Sequence, residues 1–154
     1  MSHLHLRTAL VADRQVLEAI QWRASLNNPG DRAALEAHPD AIVMPPEQLA
    51  AGGVFVAEID GAPRGFAAIL PRTDGNAELD ALFVEPDEWG HGIGRALVEH
   101  CCEAARAAGA AALHVVGNPH AEGFYTRCGF VLVGTQQMRF GVGLLMVRAL
   151  RAGA

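Results

Sequence analysis

The chain has 154 residues, 51% apolar and 19% charged, which is length and apolar material enough for one globular domain and excludes a disordered or fibrous class. Its net charge is −5 and its twelve basic residues are scattered, so the electrostatic footprint of a nucleic-acid or anionic-membrane binder is absent, and a small-molecule or peptide partner fits better. All twelve are Arg, and without Lys neither Schiff-base chemistry nor a phosphate-binding P-loop is available.

In chain order, residues 3–9 (HLHLRTA) alternate like a strand, and residues 13–26 place Val16, Leu17, Ile20 and Ala24 on one helical face. NNPGD at 27–31 stops that helix. A second short helix is expected over 32–37, and PPEQLAAGG at 45–53 reads as a helical turn that opens with Pro and closes with Gly. Three strands follow at 54–60, 63–71 and 77–84, joined by Asp60-Gly61 and by the polar turn RTDGN, and such short links imply antiparallel pairing. After Val84 the period changes: Ile93, Leu97, Cys101, Ala104 and Ala108 recur at helical spacing up to Gly109, which suits a C-terminal cap. AALHVV (111–116) is a compact apolar strand, able to pair in parallel with 77–84 through the intervening helix as a right-handed β-α-β unit. Residues 118–127 form a short helix with Asn118 as cap and Pro119 in its first turn. FVLVGTQ (130–136) and FGVGLLMVRAL (140–150) complete a mixed α/β sheet of about seven strands, and the expectation is a single domain over 1–154. The apolar final strand offers a contact for a homodimer.

Several chemistries have no residues to carry them. Serine occurs only as Ser2 and Ser25, neither in a nucleophile elbow, which argues against a serine hydrolase. Cys101, Cys102 and Cys128 have no metal-type spacing, nor do the seven His residues, and no metal is expected. No apolar run approaches the ~20 residues that span a bilayer, and the first residues lack the build of a signal peptide, so a cytoplasmic location is expected.

The informative stretch is VEPDEWGHGIGRAL, where Gly90, Gly92 and Gly94 precede the best-patterned helix. A helix N-terminus presents unpaired N–H groups and about half a unit of positive charge, and glycines there let an anion reach the backbone without meeting a Cβ. One glycine suffices for a tight strand-to-helix link, so three point to a phosphate cradle on the amides of residues 91–95. The dinucleotide fingerprint fails: counted from Gly90 its third glycine falls on Arg95, counted from Gly92 on Leu97, and AALHVV carries no acid at its end for a ribose.

Gly92-Ile93-Gly94, with Val84, Pro86 and Gly90 ahead of it, resembles the signature of the GNAT superfamily of N-acetyltransferases, and NPHAEGFYTRCGF resembles that family's second motif, about thirty residues on in the expected order. The resemblance covers about 54–133. One position departs from it, since Trp89 stands where the family has Arg or Gln. The resemblance implies acetyl-CoA as acyl donor, its diphosphate on Gly90, His91, Gly92, Ile93, Gly94 and Arg95, its pantetheine arm along Leu82, Phe83 and Val84, with Asn118 and Phe124 alongside. It further implies direct acetyl transfer to the amine of a small molecule or peptide, with Tyr125 as the acid that protonates the departing thiolate. Glu78, with Asp80 on the same strand face, is the candidate base; pairing of either with Arg64 or Arg72 explains them equally well. His91 and His120 are near enough in this scheme to relay protons, and Arg95 either reaches a phosphate or pairs with Glu99. A non-catalytic acyl-CoA-binding module would keep the same cradle.

Overall fold

The computed structural model describes residues 3–28, 31–139 and 141–150. Pro29 and Gly30 of the expected helix stop, Phe140 at the start of the expected last strand, and the extreme ends of the expected 1–154 domain lie outside the described residues. Strands β1 (Leu4–Thr8), β2 (Val54–Ile59), β3 (Ala62–Pro71), β4 (Ala77–Val84), β5 (Ala112–Gly117), β6 (Val131–Met138) and β7 (Gly141–Ala149) hydrogen-bond in the order β1-β2-β3-β4-β5-β7-β6. β4 and β5 are parallel, whereas β1–β2, β2–β3, β5–β7 and β6–β7 are antiparallel, so the sheet is mixed as expected. The helices are α1 (Arg14–Leu26), α2 (Arg32–Ala37), α3 (Pro46–Ala50), α4 (Ile93–Ala107) and α5 (Glu122–Arg127). Two compact units result, one holding the chain up to residue 68 with 81–97, the other 69–80 with the chain from 98 on.

In the first unit, strand alternation decides the core. Val54 and Val56 of β2 stand opposite Ala68 and Phe66 of β3, and this face receives Leu17 and Ile20 of α1, Leu49 of α3, Ala9 and Met44. Phe83 of β4 packs at the margin with its ring 5.7 Å from that of Phe66. On the opposite face Phe55, Ala57 and Ala67 are also buried, and a Cβ added at Gly65 would lie 3.4 Å from the side chain of Leu97 at the start of α4. Helices therefore cover both faces. Asp60 (φ 50°) and Gly61 (φ 85°) form a two-residue turn with both residues left-handed, whose twist matches the strands it joins. One expectation needs correction: Val16 is 44% exposed, because burial on α1 follows Leu17, Ile20 and Ala24, and Val16 sits about 100° off that line.

In the second unit, Val98, Cys101, Cys102 and Ala105 of α4 are buried, as are Leu113 and Val115 of β5 and Leu144 and Met146 of β7. The expected α4 stripe drifts from this one after Cys101, where Ala104 is half-buried and Ala108 exposed, since alanine fits either side of a helix. Arg148 of β7 donates from Nη1 and Nη2 to both carboxylate oxygens of Glu99 on α4 (2.7 and 3.2 Å) and from Nη1 to the Cys128 carbonyl after α5 (3.0 Å), tying the three elements together. α4 stops as expected at Gly109 (φ 94°), with the Ala110 amide donating back to the Ala105 carbonyl at 3.0 Å. The stretch expected as one helix over 118–127 is instead a 3-10 turn, Pro119–Ala121, followed by α5.

Candidate active site

β4 ends at Val84, a 3-10 turn covers Pro86–Glu88, and α4 begins at Ile93, so residues 89–92 make the last step of the strand-to-helix link. Gly90 (φ 85°) and Gly92 (φ 83°) both hold left-handed backbone, and a Cβ built on either would meet nothing within 4 Å. Their conformation requires glycine and the space beside them is open. The Ala96 amide donates to the Gly92 carbonyl at 3.0 Å, which makes Gly92 the residue before the first helical turn. The amides of Gly92, Ile93, Gly94 and Arg95 are then the four that helix geometry leaves without an intrahelical acceptor. Open space, four aligned donors and the positive end of a fifteen-residue helix fit a diphosphate. His91 and Arg95 are exposed on this link, while Ile93 points into the core.

Trp89 does not close the cradle. Its indole Nε1–H donates to the carbonyl of Val84 at 2.8 Å, capping the last residue of β4, and its ring is 46% exposed. Val84 is buried, while Leu82 and Phe83 are partly buried.

The second unit places the candidate acid and base. Tyr125 of α5 is 8% exposed, with the Phe124 ring edge-on at 5.2 Å and the Phe130 ring edge-on at 5.5 Å. Its own ring lies against β5, where a Cβ at Gly117 would stand 2.9 Å from Cε2. Gly117 is thus glycine because Tyr125 needs its space. Burial pushes the phenol well above its ordinary pKa, with the nearby Cys128 and Cys101 thiols adding in the same direction, so it is a fully protonated donor near neutrality. Asn118 holds the N-cap position of the 3-10 turn with no side-chain cap hydrogen bond, which removes capping as the reason for an Asn there.

Glu78 of β4 lies 3.9 Å from Arg72 (Oε1 to Nη1), so the pairing expected as its alternative role is present, and Arg72 also binds Asp74 at 3.2 Å. Arg64, the other partner considered, binds Asp87 and Glu88 instead. Across the parallel register Glu78 faces His114 of β5, a neighbour that the sequence spacing does not reveal. Asp80 is exposed. His120 is exposed, and Glu99, the expected partner of Arg95, is engaged by Arg148. Among the described residues, no group of three or more His, Cys, Asp or Glu is placed to hold a metal, and no helix is long and apolar enough to cross a membrane.

A parallel β4–β5 pair, a glycine cradle between β4 and α4, and an aromatic-Tyr helix after β5 define an α/β fold of the acetyltransferase type. A family model described as the acetyltransferase (GNAT) family matches residues 17–130, and the chain belongs to that family of acyltransferases. It is 38% identical over 87 residues to an uncharacterized N-acetyltransferase of Methanocaldococcus jannaschii, a match covering 51% of this chain and only 38% of that longer protein. It is 29% identical over 136 residues to the peptidyl-lysine N-acetyltransferase YjaB of Salmonella typhimurium, covering 88% of each. The solved paia N-acetyltransferase of Thermoplasma acidophilum, in complex with coenzyme A, shares the fold with a TM-score of 0.78 at 16% identity, over 96% of this chain and 99% of that one.

Proposed function

We propose that the chain is an acetyl-CoA-dependent N-acetyltransferase that acts by direct transfer on the amine of a small molecule or peptide, working as a single domain in the cytoplasm. The observation that carries this reading is the pair of left-handed, unobstructed glycines, Gly90 and Gly92, ahead of α4. The amides of residues 91–95 hold the diphosphate, and Leu82, Phe83, Val84, Asn118 and Phe124 line the rest of the donor. Acetyl-CoA supplies the acetyl group as a thioester. Tyr125 keeps its proton until a thiolate departs, a transfer that a phenol near pKa 10 makes to a thiol near 8.5 at an uphill cost of about 2 kcal/mol; burial raises that cost and penalises the thiolate in the same direction. Glu78 takes the proton of the attacking amine, with Arg72 fixing its carboxylate and Asp80 adding negative charge that favours a cationic acceptor. The peptidyl-lysine activity named for the Salmonella relative supports a peptide amine as acceptor. A homodimer would meet through β6, the end strand of the sheet, where Val131, Leu132 and Val133 are all exposed, rather than through β7, whose Leu144 and Met146 are buried.

The test is release of free thiol from acetyl-CoA in the presence of an amine panel that includes lysine peptides. Turnover on at least one amine is expected; tight CoA binding with no thiol release on any amine would instead mark a binding module.

A further inference from the structure

The segment leading into the cradle poses an electrostatic problem. Glu85, Asp87 and Glu88 place three carboxylates within the six residues that precede His91, and Glu88 Oε2 lies 3.7 Å from Nδ1 of His91, on the cradle link itself. Left alone, such charge repels any phosphate-bearing ligand. Two arginines distant in sequence answer it. Arg64 of β3 donates from Nη2 to both oxygens of Asp87 (3.1 and 3.0 Å), and from Nη2 and Nε to Glu88 Oε1 (3.2 and 3.3 Å), and its Nη1 stands 4.0 Å from Glu85 Oε2. Arg23 of α1 donates to both oxygens of Glu85, 2.8 Å from Nε to Oε1 and 2.8 Å from Nη2 to Oε2, and Glu85 is 8% exposed. Arg64 also accepts the Glu85 amide on its own carbonyl at 2.8 Å, so one β3 residue holds the segment by main chain and side chain together.

We propose that Arg64, seconded by Arg23, is a positioning residue for the anionic donor: it neutralises and fixes the acidic approach to the cradle, and so sets how tightly the cradle binds. This rests on the reading that residues 91–95 hold the diphosphate of coenzyme A. Fold stability alone does not account for the cluster, because an ion pair as exposed as Asp87 with Arg64 contributes little to it. The effect on a nearby dianion is larger, since removing one guanidinium leaves two carboxylates uncompensated within about a Debye length of the ligand.

Calorimetric titration with coenzyme A tests this in the wild type, Arg64→Gln, Asp87→Asn, the double variant Arg64→Gln/Glu88→Gln, and Arg32→Gln, whose partner Glu36 lies on the exposed helix α2. Arg64→Gln is expected to weaken binding about three- to tenfold in dilute buffer, with most of the loss gone at about 0.5 M salt. The double variant should recover most of the loss, Asp87→Asn should bind more tightly than wild type, and Arg32→Gln should match it. A loss that is equal at both salt concentrations and unrescued by the second substitution would mean local misfolding and overturn the proposal. Should Arg64→Gln fail to fold, Asp87→Asn decides, and unchanged affinity there overturns it. Binding by the wild type with no change in Arg64→Gln defeats this inference alone, whereas absence of binding by the wild type defeats the donor reading and this inference with it.

Discussion

Replacing Gly92 by Ala separates the two tasks assigned to that residue. Its φ of 83° is left-handed, where an L-residue is strained by about 1–2 kcal/mol, and nothing lies within 4 Å of the added Cβ, so no clash adds to that figure. For a chain of this size the strain lowers Tm by about 3–7 °C. The open space that spares the fold is the space the ligand needs. A methyl group there displaces the diphosphate from at least one amide, and a hydrogen bond to a charged group is worth about 1.5–3 kcal/mol, so coenzyme A affinity should fall about 10- to 150-fold. Gly109 provides the matched control: it too is left-handed (φ 94°) with nothing within 4 Å, but it caps the other end of α4. Gly109→Ala should lose a similar amount of Tm and no affinity. Thermal unfolding and calorimetry on the two variants give the four numbers required. If both bind coenzyme A as the wild type does, or both lose affinity alike, the reasoning that places the ligand against Gly92 is refuted.

Tyr125→Phe keeps the ring and removes the proton, so kcat should drop about 100-fold or more with the KM for acetyl-CoA little changed, read from thiol release; an unchanged kcat at every pH withdraws the acid role. Gly117→Ala puts a methyl 2.9 Å from the Tyr125 ring, and should destabilise the fold by about 1–3 kcal/mol in denaturant titration while lowering kcat through displacement of that ring. Burial pushes the Cys101 thiol up to about 12, so the native protein holds that proton while the unfolded chain releases it above about pH 9. Stability should therefore be flat with respect to this group below about pH 8.5 and fall by up to about 1.4 kcal/mol per pH unit above it, with Tyr125 adding to the slope from about pH 10, and Cys101→Ala should flatten the first part of the decline.

Much of the fold is legible in the sequence because its signals are local. The bounds of β4, the Asp60-Gly61 turn, the Pro-led start of α3 and the Gly109 cap each depend on a few adjacent residues. The cradle is legible for the same reason, since three glycines before a patterned helix state their purpose within five positions. Features that depend on distant partners are not. Nothing in the spacing pairs Arg23 with Glu85, 62 positions away, or sets His114 opposite Glu78, because those meetings are fixed by sheet register and helix docking. The α4 stripe fails in its second half where alanines carry no preference for the core, and the two-part helix at 118–127 fails because a Pro-led 3-10 turn and an α-helix start look alike in sequence.

The central claim is that main-chain amides at the start of α4 grip the donor. It is tested most directly by titrating nitrogen-15-labelled protein with coenzyme A and following each amide by NMR. The largest shifts and the strongest protection from hydrogen exchange are expected on Gly92, Ile93, Gly94 and Arg95. Saturable binding that leaves those four amides unmoved would contradict it.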